Sequence, residues 1–224
     1  MKFEGTKTMG VENALIGMRL PMCRDYMEAS DMALVLEQAK RETVGLGCKL
    51  ILADKKAKGY GQPNAKFLRM IHVQVAITAP LYWWKEFDTY KVGTTANSTS
   101  TMHKLAYTRI TLDCFELDDF EDVFTRCDSL SLSQYWEHNL IPYLEGLRLR
   151  YNMTNDKRYW KELIRLLPES WLQTRMVDMD YQTVRNIYYW RKNHKLTEWH
   201  TFCKWVSTLP YAKLWLIDEE EENA

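Results

Sequence analysis

A run of alternating side chains that stops at a proline constrains this chain more than any other stretch of it. Between His72 and Thr78, Val73, Val75 and Ile77 fall on one side of an extended backbone and Gln74 and Thr78 on the other. That period of two is the signature of a strand with one face in a core. Pro80 then ends the strand, since it has no N–H to give to a ladder, and it suits the first turn of a helix. Residues 81–91 follow without glycine or proline and predict a short, aromatic-rich helix. Past Lys91 the character changes again. Gly93, Asn97, Ser98 and Ser100 stand among threonines 94, 95, 99 and 101, and such short polar side chains compete with helix by bonding their own backbone. This polar loop has two readings, a solvated connector or a set of donors for phosphate and sugar oxygens.

The flanks supply helices and little else that is chemically pointed. A first strand is expected within residues 1–25, and a helix from Ser30 that fails near Gly45 or Gly47. Residues 53–67, rich in lysine and glycine, read as an exposed loop. Leu105 to Leu112 fits either a helix or a strand. The acidic run from Asp113 to Asp122 interleaves Phe115, Leu117 and Phe120, which suits a solvated amphipathic face better than a hard-cation site. Residues 131–151 carry apolar side chains at helical spacing, with Pro142 imposing a kink or a break. A helix after the Asn155–Asp156 cap stops before Pro168, residues 169–180 read as extended, and Asp180 caps a further helix reaching about residue 195. A last helix runs from Leu196 to Leu209, ahead of the acidic tail at 216–224.

The 224 residues balance 30 basic against 30 acidic side chains, so no global field draws the protein to nucleic acid or to a membrane surface. Five cysteines without close paired spacing suggest reduced thiols rather than a disulfide framework or a zinc site. The chain shows no export signal and no apolar run approaching eighteen residues, so a cytoplasmic protein is expected. Aromatic residues make up 13% of the chain, enough to line a pocket or a subunit interface as well as a core.

A strand ending in Ala79-Pro80, an aromatic helix and a hydroxyl-rich stretch together resemble the flavin-dependent thymidylate synthase family. The signature of that family opens with Arg-His-Arg and continues through spaced Ser, Asn, Ser and Arg. Here the corresponding run is Thr89-Tyr90-Lys91, then Thr94, Asn97, Ser100 and Met102, with one residue inserted between Thr94 and Asn97. His103 follows Met102, where the family has its arginine. In the C-terminal third, Arg165 with Pro168, Thr174-Arg175, Asp180, Asn186, Arg191, His194 and Glu198 follow the family's order, with one residue deleted between Arg191 and His194. The resemblance spans about residues 66 to 205.

The resemblance implies an α+β, helix-rich single domain over residues 1–224 with a small central sheet. It also implies a homotetramer in which FAD and the deoxyuridine nucleotide dUMP sit at subunit interfaces, with NADPH and methylenetetrahydrofolate as co-substrates. Arg191 and Ser100 then stand as catalytic residues, and Arg165, Glu86, Lys91 and Thr94 join them in binding the nucleotide. His72, Tyr90, Lys91, Asn97, Asn186 and His194 fall to the cofactor. Glu86 replaces a family glutamine, and a carboxylate repels a phosphate that an amide would hold. The residues alone offer plainer roles: an arginine near a helix end serves the dipole, a strand histidine serves the fold, and His194 and Glu198 four apart form a surface pair on one helix. Thr89-Tyr90-Lys91 in place of Arg-His-Arg keeps a second reading open, a relative that binds a nucleotide without flavin chemistry, because lysine does not reproduce bidentate arginine contacts.

Overall fold

In the computed structural model, which describes residues 1–56, 63–100, 104–118 and 131–217, the alternating run is strand β2 (His72–Pro80). Val73, Val75, Ile77 and Ala79 are fully buried while Gln74 is exposed. Among the described residues β2 lies in a four-stranded antiparallel sheet of order β1-β2-β4-β3, with β1 at Lys2–Met9, β3 at Thr94–Ser98 and β4 at Leu172–Asp180. The segment expected to be extended after Pro168 is thus β4, which buries Val177 and Met179 and exposes Met176. Helices account for most of the remaining elements, so the chain is α+β and helix-rich around a small sheet, as expected. The hydroxyl-rich stretch differs from expectation: its Thr94–Ser98 part is not a loop but an edge strand. Pairing with β4 satisfies the inner edge of its backbone, which local side-chain bonds would otherwise compete for.

Two compact units divide the chain. One comprises residues 3–76, 89–96 and 176–224. It contains helices α1 (Val11–Arg19), α2 (Tyr26–Ser30), α3 (Glu37–Lys56), α8 (Tyr181–Arg191), α9 (Thr197–Val206) and α10 (Ala212–Trp215). The helix expected to start at Ser30 and fail at the glycines instead begins at Tyr26, capped by Asp25, passes through a π-turn at Asp31–Val35, and resumes as α3 straight through Gly45 and Gly47. Packing is the reason. A Cβ on Gly47 would stand 2.8 Å from Trp215 Nε1 and 3.1 Å from the Phe67 ring, so the missing side chain admits two aromatic neighbours at a cost in helix propensity of about 1 kcal/mol. Nor is residues 53–67 an exposed loop throughout. Residues 57–62 lie outside the described ones, but α3 continues to Lys56, and the turn at Pro63–Met70 buries Ala65, Phe67 and Leu68. Asp54 holds that turn by accepting from the Ala65 N–H at 2.7 Å and the Asn64 amide at 2.8 Å.

The other unit comprises residues 1–2, 77–88 and 97–175. Its helices are α4 (Leu81–Phe87), α5 (Leu132–Tyr135), α6 (Ile141–Thr154) and α7 (Lys157–Leu166). Trp83 and Trp84 on α4 are fully buried, and Trp84 donates from Nε1 to the Gln173 carbonyl at 2.9 Å beneath the Arg175 guanidinium. Pro142 directly follows a π-turn at Trp136–Leu140 and stands in the first turn of α6, so the proline is taken up by a local change of helix type rather than by a break. Asp156 caps α7, which ends at Leu166 ahead of Pro168 as the sequence predicts. Residues 105–112 form neither a regular helix nor a strand. Leu105, Ala106 and Ile110 are buried, and the Ile110 N–H donates to Glu145 at 2.9 Å. The acidic run is described only to Asp118 and holds a 3-10 turn at Leu112–Cys114.

A backbone clip in the first unit joins the signature stretch to α8. The Gly93 carbonyl accepts from the Asp180 N–H at 3.2 Å, and the Thr183 hydroxyl donates to the Val92 carbonyl at 3.1 Å. Asp180 in turn accepts from the Thr183 N–H at 2.7 Å and so caps the helix. Gly93 has φ of +77°, and a Cβ there would come within 2.2 Å of Thr183 Oγ1 and 2.6 Å of Asp180 Oδ2. Gly93→Ala should therefore destabilise the chain by at least about 2 kcal/mol, read as a lower denaturant midpoint. Unchanged stability would mean that the clip is loose. A pH effect follows from the second unit, where the Arg148 guanidinium and the Ile110 N–H hold the Glu145 carboxyl below its ordinary range. A depressed carboxyl adds stability above its unfolded pKa and loses it as pH falls through the folded value. Glu145→Gln should accordingly flatten the loss of thermal stability below about pH 4.5, where the wild type weakens.

Candidate functional site

The clip brings residues from distant parts of the sequence around one cavity of about 500 Å³ in the first unit. Thr89, Tyr90, Lys91 and Val92 form one wall, and Asp180, Gln182, Thr183 and Asn186 from the first turns of α8 form another, with Arg69 adding a second cation. Such a volume is within the range of about 300–1,000 Å³ usual for small-molecule sites. Two cations, hydroxyls, two amides and a helix N-terminus make a donor-rich lining suited to phosphate oxygens. Asp180 opposes an anion, but one carboxylate oxygen already accepts the Thr183 N–H. Three residues singled out from the sequence, Tyr90, Lys91 and Asn186, therefore meet here. Arg69, Gln182 and Thr183 were not singled out. Gln182 and Thr183 share the first turns of α8 with Asn186, a spacing visible once the helix is placed, whereas nothing in the sequence relates Arg69 to it.

Arg191, at the end of α8, is held beside this wall. Its Nε donates to the Tyr90 phenol at 2.8 Å, and its guanidinium lies 4.7 Å from the Trp199 ring centroid and 5.4 Å from that of Tyr90. Trp199 is fully buried, which fixes one of the two rings. Cation–π attraction and the phenol bond together restrict an otherwise mobile side chain to one orientation. Thr94 supports the same corner, since its hydroxyl donates to the Tyr90 carbonyl at 2.6 Å. The Tyr181 phenol next to Asp180 donates to the Pro210 carbonyl at 3.0 Å, and burial pushes its pKa up to about 12. It remains a neutral donor and anchors the start of α8.

The other residues singled out from the sequence do not line this cavity. His72 faces Asp178 across the β2–β4 pair, with Nδ1 and Oδ2 3.0 Å apart. His194 precedes α9 rather than sharing a helix with Glu198, and its Nδ1 accepts from the Leu196 N–H at 3.2 Å. The two are not on one helix face as expected, because the chain turns after α8 and restarts at Thr197. In the second unit, Glu86 is on α4, Asn97 is exposed on β3, and Arg165 is exposed on α7, 3.3 Å from Glu162. Ser100 lines a separate cavity of that unit. His103 and Met102 lie outside the described residues.

No protein-family model matches the sequence, and no curated protein matches it. Solved structures do match its fold. The flavin-dependent thymidylate synthase ThyX of Helicobacter pylori, complexed with FAD and dUMP, superposes with a TM-score of 0.62 at 14% identity, over 96% of this chain and 98% of that one. A second structure of the Helicobacter pylori enzyme with FAD and dUMP gives 0.58 at 16% identity, over 97% and 98% of the two chains. A UMP/dUMP methylase, PolB, from Streptomyces cacaoi, bound with 5-Br dUMP, gives 0.58 at 12% identity, over 95% and 90%. The chain has a ThyX-like fold, and at these identities the likeness is one of fold.

Proposed function

We propose that this protein is a ThyX-like enzyme that binds dUMP and transfers a one-carbon unit to its C5 with FAD, using NADPH and methylenetetrahydrofolate as co-substrates. The observation that carries this reading is the convergence of Tyr90, Lys91 and Asn186 on one cavity in a chain of ThyX-like fold. The lining chemistry fits FAD. Lys91 and Arg69 offer cations to a diphosphate, and Asn186 and Gln182 offer amides to a ring that both donates and accepts. In this proposal the cofactor is held by Tyr90, Lys91 and Asn186, with His72, Asn97 and His194 as further contacts. Bound there and reduced, FAD would supply the hydride.

The chain's own contribution is binding and charge placement. Arg191, pre-oriented by Tyr90 and Trp199, presents a fixed positive charge to a pyrimidine on which negative character develops. Ser100 acts with it at the nucleotide, and Arg165, Glu86, Lys91 and Thr94 complete the substrate contacts. A homotetramer with shared sites lets residues of one chain serve different neighbours, so they need not gather in one place on that chain. A second reading rests on a specific feature, Thr89-Tyr90-Lys91 with Asp180 at the cavity wall: a repurposed relative that binds a nucleotide without flavin chemistry.

Visible absorption after incubation with FAD and removal of the unbound excess separates the two readings. Retained flavin bands are expected, and a protein that stays colourless would rule out the flavin reading in favour of the second. Lys91 is exposed, so Lys91→Met should keep the fold and weaken FAD binding by about tenfold, the usual scale of one charge-assisted contact. Equal affinity would remove Lys91 from the cofactor site.

A further inference from the structure

In the first unit, Glu37, Lys40, Arg41 and Val44 of α3 bound a further cavity of about 290 Å³, and Tyr211 closes it from the start of α10. The four α3 positions are three or four apart and share one side of that helix. None of the five residues lines the cavity beside α8, and binding here is independent of the proposed chemistry.

We propose that this cavity binds a small aromatic anion, a single planar ring bearing one carboxylate or phosphate group, stacked on Tyr211 with its charge against Lys40 and Arg41. Three observations carry it. First, Tyr211 is held in a conformation that tyrosine rarely adopts. Its φ of 57° and ψ of 15° are left-handed. Among the described residues the other non-glycine with positive φ is Asn155, of a type that tolerates that region. Strain of this kind persists where the surroundings impose it, and it gathers at ligand sites. The restraint is local: the Tyr211 carbonyl accepts from the N–H groups of Leu214 and Trp215, each at 3.0 Å. Second, the phenol ring is half of a stack. It lies on the Trp215 ring at a centroid distance of 4.5 Å and an angle of 25°. Trp215 is fully buried, and its Nε1 donates to the Val44 carbonyl at 3.3 Å, which anchors the base of the stack to α3. Tyr211 itself is half-buried, so the second face of its ring is left to the cavity, where a flat ring extends the stack. Third, the charge is available. Neither Lys40 nor Arg41 joins any of the ion pairs found among the described residues. Two cations against the Glu37 carboxylate leave the lining net positive. A guanidinium holds a carboxylate or a phosphate through two parallel bonds, which an uncharged ring does not offer. The volume, at the low end for small-molecule sites, suits one ring and its charged group.

The test is calorimetric titration of the full chain with benzoate, with phenyl phosphate and with inorganic phosphate. The proteins are wild type, Arg41→Met, Tyr211→Asn, Tyr211→Phe and, as a control in charge, Lys161→Met on α7. Arg41 is exposed and asparagine tolerates the left-handed region, so both variants should fold, which circular dichroism checks. Wild type is expected to bind at least one of the two aromatic probes, and the tighter of them identifies the charged group. That affinity should fall at least tenfold in Arg41→Met and in Tyr211→Asn. Tyr211→Phe, which keeps the ring, and Lys161→Met should match wild type. Inorganic phosphate should bind at least tenfold more weakly than the preferred aromatic probe. Wild-type affinity in either folded variant, Arg41→Met or Tyr211→Asn, would overturn the proposal. So would inorganic phosphate binding as tightly as the aromatic probes, since the ring would then contribute nothing, and so would failure of both aromatic probes to bind wild type.

Discussion

The contact between the carbonyl of Gly93 and the N–H of Asp180, the N-cap of α8, organises the first unit of this protein. It ties the stretch after the aromatic helix to a helix that begins almost ninety residues later, and it does so through backbone atoms. Asp180 serves twice there, giving its own N–H to Gly93 and its side chain to Thr183, while the Thr183 hydroxyl reaches Val92. The wall formed by Thr89 to Val92 is where it is because these bonds leave it no other place. Tyr90, positioned by the same stretch, then reaches Arg191 at the far end of the same helix. One helix thus presents its N-terminus and its last arginine to one short stretch of chain.

Much of this was legible in the residues. The alternation of Val73, Val75 and Ile77 yielded β2 because a strand with one buried face leaves a period of two that nothing local can imitate. Asp156 and Asp180 marked helix starts because an N-cap is a local bond, made by a side chain to a backbone a few residues on. What was not legible depends on partners distant in sequence. Gly45 and Gly47 look like a helix end by propensity, but Gly47 is a point of close approach for Trp215, and that ring is far along the chain. Thr94 to Ser98 have the composition of a loop, and only pairing with β4 makes them a strand. The break between Arg191 and Thr197 was hidden for a similar reason, since Leu196 and His194 cap the turn with each other instead of with a signature residue.

The candidate site divides in the same way. Tyr90, Lys91 and Asn186 were found by order and spacing, and they meet at one cavity. Arg69, Gln182 and Thr183 were not, because a lining residue need not belong to any motif. The stretch Thr89-Tyr90-Lys91 also takes on a physical meaning. Tyr90 gives Arg191 a phenol acceptor and an aromatic face, which fix the guanidinium.

The account stands on the chemistry of a pyrimidine nucleotide held beside Arg191. Release of tritium to water from dUMP labelled at C5 measures that chemistry directly, with FAD, NADPH and methylenetetrahydrofolate supplied. The account predicts release by wild type and its loss in Arg191→Ala that remains folded. No release from a wild-type protein that has bound both flavin and dUMP, or undiminished release from the variant, would contradict it.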